Sequence, residues 1–267
     1  MDFDTIIFKK ERGVATITLN RPERLNATTY HMLDELKEAV DDIVNDENVG
    51  VLILTGVGRG FCSGADRGGQ AERAALRAAG QSVLKSRHEQ VGPRVVDTLF
   101  HGMEKPTICA VNGVAVGVGL SFALACDVRI ASENARFGAR WALRGLMPDA
   151  GATYHLPRLV GVARALELLY SNDIIDAREA ERIGLVNRVV PHEELMPASI
   201  ELAEKIVKSA AVPTELTKRA VYKAYSNTIE SQLEYERWGQ SVCYATEDHK
   251  EAIQAAIEKR EPIFKGR

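Results

Sequence analysis

The sequence contains few of the features that mark several classes of protein. Its four cysteines include no CxxC pair and its six histidines no HExxH pattern, so neither a disulfide framework nor a metal site is expected. It has no run of about 18 apolar residues, which argues against a membrane-spanning helix. Lysine and arginine are dispersed and the net charge is -3, which gives no support for a nucleic-acid partner. The acidic N-terminus lacks an apolar segment, so no secretory signal is expected.

The cysteines are scattered along the chain and are interpreted as reduced core thiols of a cytoplasmic protein. They are Cys62, Cys109, Cys126 and Cys243. Cys62 lies in a loop of small residues, but no obvious base accompanies it, and a cysteine nucleophile needs one. We therefore expect no catalytic role for Cys62.

The composition is that of an ordinary globular protein, since 45% of the 267 residues are hydrophobic and 27% are charged. The predicted elements are a hairpin over 5–19, helices over 30–45, 119–125, 151–159, 162–170 and 177–183, and strands over 51–54, 107–111, 127–131, 135–138 and 185–190. Because strands and helices alternate to about residue 190, we expect an α/β core over 1–190. A helical region over 191–267 should follow, with a first break at Pro213.

Two stretches of small residues carry the strongest functional signal. Residues 61–66 (Phe-Cys-Ser-Gly-Ala-Asp) follow the apolar run 51–54. Residues 112–119 (Asn-Gly-Val-Ala-Val-Gly-Val-Gly) follow the apolar run 107–111. Each pattern predicts a strand, a tight loop and a helix, and N–H groups at such turns point outward as donors. Two loops of this kind can direct two N–H groups at one oxygen, which is the geometry of an oxyanion hole.

The order of short motifs resembles that of the crotonase (enoyl-CoA hydratase/isomerase) superfamily over nearly the whole chain. The segments that carry the resemblance are Leu-Asn-Arg-Pro at 19–22, Leu-Asn-Ala at 25–27, the loop at 60–66, Lys-Pro at 105–106, Ala-Val-Asn-Gly at 110–113, Ala-Leu-Ala-Cys-Asp at 123–127, Phe-Gly at 137–138 and Gly-Leu-Val at 184–186. The resemblance implies a spiral of ββα units with a C-terminal helical trimerisation region, and hence a homotrimer or a dimer of trimers. It does not determine the reaction, because the superfamily runs several chemistries on one scaffold.

The resemblance also implies an acyl-CoA thioester as substrate, with CoA entering as part of it and with no metal or redox cofactor. It assigns the oxyanion donors to the backbone N–H groups of Ala65 and Val118. Many relatives have three glycines in the second loop, whereas this chain has Val118 between Gly117 and Gly119. A side chain at Val118 does not remove its N–H. Between two such donors a thioester carbonyl becomes a better electron sink, and its enolate becomes accessible.

The two glutamates with which hydratases of the superfamily add water are absent. Ser121 and Trp141 occupy the corresponding positions, and neither side chain can act as a carboxylate base. This departure argues against simple hydration of an enoyl-CoA. Ser121 either bonds a substrate or water, or caps the helix over 119–125. Trp141 is interpreted as a wall of the acyl pocket or as part of the core.

One carboxylate, that of Asp149, remains near the expected site. Residues 144–151 (Arg-Gly-Leu-Met-Pro-Asp-Ala-Gly) resemble a motif of a CoA isomerase subgroup, which includes the isomerase of bacterial phenylacetate degradation. In that subgroup the aspartate moves a proton. Local sequence alone favours Asp149 as a cap of a helix starting near Ala150, but the resemblance favours catalysis. Apolar neighbours such as Trp141, Leu146 and Met147 would raise the pKa of Asp149, which suits a base acting near neutral pH.

We therefore expect isomerisation of a double bond with Asp149 as the proton shuttle, and three alternatives stay open. One is a hydratase, or a ring-acting lyase or hydrolase, in which Asp149 acts on a water held by Ser121. Another is an aromatic acyl-CoA dehalogenase, which shares the spacing of Trp141 and Asp149. That chemistry needs an upstream histidine where this chain has Arg94. The last is an acyl-CoA-binding protein without catalysis.

CoA is a polyanion, so its pocket needs local cations in spite of the acidic net charge. The residues expected to bind substrate or CoA are Arg24, Leu25, Ser63, Asp66, Gly117, Ser121, Trp141, Phe264 and Lys265. Arg24 occupies the place from which relatives contact CoA. Phe264 and Lys265 resemble residues that a neighbouring subunit contributes to the nucleotide. We expect residues 67–100 and the C-terminal helices to shape the acyl pocket.

Overall fold

The structure is a computed structural model that describes residues 2–66, 68 and 102–266. Its strands form two sheets, one of six strands and one of four. The segment 67–100, which we expect to shape the acyl pocket, lies outside the described residues except for Gly68.

The main sheet carries the predicted hairpin at one edge. Its strand order is β1 (Ile6–Glu11), β2 (Val14–Leu19), β3 (Val51–Gly56), β5 (Thr107–Val111), β7 (Val128–Ser132) and β10 (Arg188–Val190). β1 and β2 are antiparallel, and all other neighbours are parallel. β10 is shorter than the predicted 185–190, because the N–H groups of Leu185 and Val186 bond back to the carbonyl of Ala180 instead of joining the sheet.

The second sheet corrects the interpretation of the two small-residue stretches as plain loops. Its order is β4 (Gly60–Cys62), β6 (Val114–Val116), β8 (Arg136–Gly138) and β9 (Ile174–Asp176). β4 and β6 lie inside those stretches and pair in parallel, so the two loops leave the sheet side by side. Strands of three residues are too short to show a period of two, which is why β4, β6 and β9 have no sequence signal.

The helices agree closely with the predicted ones. In the described residues they are α1 (Tyr30–Asn45), α2 (Val118–Ala125), α3 (Ala152–Val160), α4 (Val162–Ser171), α5 (Ala177–Arg182), α6 (Leu195–Val207), α7 (Ala211–Lys223), α8 (Ile229–Ala245) and α9 (Glu247–Glu258). Thr29 caps α1, because its hydroxyl accepts a bond of 3.1 Å from the N–H of Met32. The first break of the helical region lies at 208–210 and not at Pro213. Pro213 stands in the first turn of α7, where proline costs no helical hydrogen bond.

The core lies on both faces of the main sheet, so β3 and β5 are buried along nearly their whole length. A large cluster on one face includes the apolar stripe of α1 and all of α2 except its first residues. A smaller cluster on the other face includes Leu195 and Ala203 of α6. The division of the chain at residue 190 stays a prediction, and α6, beyond it, packs against the main sheet.

The last three helices pack one on the next, and α7 joins them to the core. α7 is tied to the core because Lys218 pairs with Asp127 at 2.8 Å and the Tyr222 hydroxyl donates to Asp127 at 2.9 Å. α8 packs on α7, and α9 packs on α8. No helix of residues 2–66 and 102–266 is long and apolar enough to cross a membrane.

Candidate active site

Ala65 and Val118 line the same pocket, although 53 positions separate them in the sequence. Ala65 follows β4 and pairs with Thr28 in a parallel bridge. The bridge is made by the N–H of Thr28 to Gly64 and by the N–H of Asp66 to Thr28, each at 2.9 Å. In such a bridge the N–H of the central residue, Ala65, points away from the partner strand.

Val118 is the first residue of α2, and its N–H therefore has no acceptor within the helix. Gly117 before it has φ 58° and ψ -127°, a conformation that side chains disfavour. Gly119 after it packs so closely that an added Cβ would lie 2.0 Å from the carbonyl oxygen of Cys62. The residues of this chain whose structure is described supply no acceptor for the N–H of Ala65 or of Val118. Both groups are available to an oxygen in the pocket.

Asp149 lines this pocket together with Ala65 and Val118, and the indole N–H of Trp141 donates to its Oδ1 at 3.0 Å. Asp149 is exposed by its surface area, so the protein around its carboxylate displaces only part of its water. This desolvation raises the pKa of Asp149 above the ordinary value, and the bond from Trp141 opposes part of the rise. The predicted direction of the shift is confirmed, but the expected contribution of Trp141 was wrong, because its indole N–H stabilises the charged carboxylate. Met147 contributes little to it, because its side chain is 76% exposed.

Asp149 and Ser121 are not helix caps, which corrects both cap interpretations. Gly151 precedes α3 and Gly117 precedes α2, and neither helix has a side-chain cap. The Ser121 hydroxyl, fully buried, instead donates at 3.1 Å to the backbone carbonyl of Asp149. Ser121 therefore ties α2, which carries one oxyanion donor, to the loop that carries the carboxylate.

The loop before α3 holds Asp149 through its backbone. Ala150 and Gly151 are both left-handed, with φ 50° and 80°, and the N–H of Ala152 donates to the Asp149 carbonyl at 3.1 Å. A left-handed alanine costs about 1–2 kcal/mol. Ala150 is buried in the core cluster, so packing holds that conformation in place. The carboxylate is thus positioned by fixed backbone.

The predicted CoA residues at the start of the chain form a second group beside Ala65. Ser63 donates to the carbonyl of Arg24 at 3.1 Å, and its N–H donates to the carbonyl of Leu25 at 3.0 Å. Arg24 is exposed. Asp66 pairs with Arg21 at 3.0 Å, and its pKa is lowered by hydrogen bonds from the N–H of Gly68 and from Arg21. Arg21 was not among the predicted site residues, although it lies within the motif at 19–22.

The described residues that line the pocket do not include Phe264 and Lys265. They lie in a tail that returns along α9. Asp248, buried in the first turn of α9, accepts the N–H of Lys265 at 2.7 Å and that of Gly266 at 2.9 Å. Their predicted role toward the nucleotide of a neighbouring subunit stays a prediction.

The thiols and potential metal ligands lie apart from the pocket. All four cysteines are free, and burial raises the pKa of Cys62 to about 12, so this thiol stays protonated near neutral pH. Asp4, His31 and Glu35 bring potential ligand atoms within 4.8 Å of one another. The Glu35 carboxylate there accepts hydrogen bonds from the backbone N–H groups of Asp4 and Thr5, which hold the N-terminal segment against α1.

Three residues of the pocket wall were not predicted from the sequence. They are Val116, Arg140 and Arg144. Arg144 belongs to the motif at 144–151, so the sequence did contain a signal for it, and Leu146 of the same motif lines the pocket with Asp149, as predicted. Arg140 has a left-handed backbone, φ 57°, which no local pattern predicts. Arg94, which the dehalogenase alternative concerns, lies outside the described residues.

The chain matches the family model of enoyl-CoA hydratase/isomerase over residues 9–267. It is 41% identical to a short-chain-enoyl-CoA hydratase of Clostridium acetobutylicum, with 97% of each chain covered. It is 36% identical to the 1,2-epoxyphenylacetyl-CoA isomerase of Escherichia coli, with 98% of each covered.

The fold agrees with that of solved relatives. The crystal structure of an enoyl-CoA hydratase from Bacillus anthracis superimposes with a TM-score of 0.89, at 35% identity and with 99% of this chain and 100% of that chain covered. The predicted crotonase-like α/β fold with C-terminal helices is therefore confirmed. The family-model match and these relatives show that the chain belongs to the enoyl-CoA hydratase/isomerase family of acyl-CoA enzymes.

Proposed function

We propose that the protein isomerises the double bond of an enoyl-CoA thioester and that Asp149 moves the proton. One observation carries the proposal. Among the described residues that line the pocket, Asp149 has the only carboxylate, and the two available N–H groups of Ala65 and Val118 line it too. The identity with the Escherichia coli isomerase adds support, since this chain has an aspartate in the motif at 144–151 that resembles that subgroup.

In the proposed step, Asp149 takes a proton from the carbon between the thioester and the double bond. The electron pair of the broken C–H bond moves into the conjugated system, and the negative charge comes to rest on the thioester oxygen. The N–H groups of Ala65 and Val118 bond that oxygen, and each such donor is worth about a hundred- to a thousandfold in rate. The protonated Asp149 then returns the proton at the far end of the system, so the double bond shifts and no cofactor is consumed.

A single carboxylate suffices for this reaction because the group that removes the proton also returns it. The raised pKa of Asp149 supports both halves of the cycle, since a base works best when its pKa approaches the working pH. Hydration in this family uses two carboxylates, and Ser121 and Trp141 occupy those positions here.

Hydration is the second candidate, and the names of two relatives favour it. The Clostridium acetobutylicum protein is a short-chain-enoyl-CoA hydratase, and a relative from Syntrophomonas wolfei at 39% identity is a crotonyl-CoA hydratase. In this chain Asp149 would have to activate the water without a second carboxylate among the described pocket residues.

The two candidates are separated by supplying 3-hexenoyl-CoA and crotonyl-CoA to the purified protein in parallel. We expect conversion of the first to the conjugated 2-enoyl thioester, followed by its ultraviolet absorbance, and at most feeble hydration of the second. Asp149→Asn should lower isomerisation about a hundred- to ten-thousandfold while calorimetry shows hexanoyl-CoA binding retained. Rapid hydration of crotonyl-CoA would support the second candidate. Binding without either reaction would identify an acyl-CoA-binding protein without catalysis.

A homotrimer or a dimer of trimers completes the proposal. The apolar side chains that α8, α9 and the tail expose support it, since a monomer rarely leaves so many in one region. They are Ile229, Leu233, Trp238, Tyr244, Ile253, Ile257 and Ile263. Light scattering at micromolar concentration should report the trimer or hexamer mass, and a monomer would contradict it. A cytoplasmic location stays a prediction.

A further inference from the structure

The pocket wall beside the oxyanion hole carries a guanidinium, that of Arg144, with no counter-charge among residues 2–66, 68 and 102–266. Arg144 ends the 3-10 turn Ala142–Arg144, and its Nη1 atom lies 3.9 Å from the point that a Cβ on Gly64 would occupy. Gly64 directly precedes the oxyanion donor Ala65. No described residue accepts a hydrogen bond from this guanidinium or forms an ion pair with it.

Asp149 does not neutralise Arg144, although both line the pocket. The described side-chain donor to the Asp149 carboxylate is the indole N–H of Trp141 at 3.0 Å, and no ion pair joins Asp149 to Arg144. The raised pKa of Asp149 agrees with this, because a guanidinium in contact would lower it. The neighbouring Arg140 makes the imbalance larger, since its only described bond is a long one of 3.4 Å to the carbonyl of Asn172. Two cations and one separate carboxylate thus line the described part of the pocket.

This imbalance bears on which acyl groups the pocket accepts. Val116, Val118, Trp141 and Leu146 supply hydrocarbon contacts that suit any short chain. Arg144 is exposed in the structure. A hydrocarbon acyl group packed against it would displace part of the water around the guanidinium without returning a partner, which is unfavourable for a charged group. A carboxylate on the acyl group would instead meet the planar fork of donors that guanidinium offers.

We propose that Arg144 binds a carboxylate at the end of the acyl group, so that the preferred substrates are CoA thioesters of short dicarboxylic acids. The inference rests on the acyl-CoA site of the proposed function but not on the isomerisation itself. The phosphates of CoA do not serve as the partner, because the whole pantetheine arm separates them from the thioester beside Gly64. Arg24, and not Arg144, is the residue predicted to lie on the side of the nucleotide.

The test uses saturated thioesters, which bind without reacting and so keep this inference separate from the reaction. Calorimetry compares the matched pairs butyryl- and succinyl-CoA, pentanoyl- and glutaryl-CoA, and hexanoyl- and adipyl-CoA. For the pair whose length reaches Arg144, we expect the carboxylated member to bind about ten- to a hundredfold more tightly, as a charged hydrogen-bonded pair allows. Arg144→Met should abolish this preference, and Arg144→Lys should retain part of it.

Arg182→Met serves as the control, because Arg182 is an exposed arginine paired with Glu179 at 2.6 Å outside the pocket. It should leave every dissociation constant unchanged. Equal affinity within all three pairs would overturn the inference, as would a preference that survives in Arg144→Met. Equal weakening of both members by Arg144→Met would assign the guanidinium to the thioester instead. Loss of isomerase activity with the binding preference intact would overturn only the proposed reaction.

Discussion

Replacing Trp141 by phenylalanine tests whether Asp149 is the base, because the change alters the pKa of Asp149 while the aspartate itself is kept. The indole N–H is the one side-chain donor to Asp149 among the described residues, at 3.0 Å. It stabilises the charged form and so lowers the pKa of Asp149, against the larger effect of desolvation. Since the base must be deprotonated, activity falls as the pH drops through its pKa. Without the donor that acidic limb should move to higher pH.

The size of the shift follows from the strength of the lost bond. A hydrogen bond to a charged group contributes about 1.5–3 kcal/mol, and the lower end applies because the carboxylate is open to solvent on one side. About 1.4 kcal/mol corresponds to a tenfold change in an equilibrium, so the limb should move up by about one pH unit. The phenyl ring keeps most of the packing, so the loss of stability should stay below the about 3–5 kcal/mol typical of Trp→Ala.

The assay is the pH dependence of kcat/KM for isomerisation of 3-hexenoyl-CoA by the wild type and by Trp141→Phe. Ser121→Ala is the matched control, because Ser121 bonds the backbone carbonyl of Asp149 and not its carboxylate. It should lower kcat by loosening the loop and leave the acidic limb in place. A limb that stays fixed in Trp141→Phe, or moves to lower pH, would refute the assignment of Asp149 as the base.

Three further predictions concern stability. Folding raises the pKa of Asp149, so the protonated carboxyl favours the folded state. This contribution to the free energy of unfolding is fully present below the ordinary aspartate pKa of 3.8 and is lost as the pH rises through the raised pKa. Asp149→Asn should therefore match or exceed the wild-type melting temperature at pH 7, but should not exceed it below pH 3.8. A lower melting temperature at pH 7 would contradict this sign. Gly119→Ala should abolish folding or lower the free energy of unfolding in denaturant by at least about 3 kcal/mol, because the added Cβ would collide with the Cys62 carbonyl oxygen. The control Gly239→Ala in α8 should be neutral or stabilising, because an added Cβ there has room. Lys218→Met should lower the free energy of unfolding by about 3 kcal/mol at fixed protein concentration, because it removes the lysine that pairs with the Asp127 carboxylate. The control Lys205→Met, which breaks an exposed pair with Glu201, should lower it by at most about 0.5 kcal/mol.

Much of the fold was predictable because its elements have local causes. The amphipathic stripe and the Thr29 cap determine α1, and the turn at 12–13, with both residues at positive φ, determines the hairpin. The short strands β4, β6 and β9 were not predictable, because three residues carry no period and their pairing depends on distant partners. The β10 boundary failed for a related reason, since Leu185 is apolar but bonds back to Ala180 instead of joining the sheet.

By itself, the sequence determined the family, the two loops of small residues and the presence of one aspartate where the hydratase glutamates are missing. These are properties of residue type and order, which the chain carries before it folds. Only the tertiary structure decided what each side chain does. It brings the Trp141 indole to Asp149 across 8 positions and the Ser121 hydroxyl to the Asp149 backbone across 28, and it places the Arg144 guanidinium beside Gly64. Such contacts depend on how loops and helices pack, and no local pattern encodes that packing.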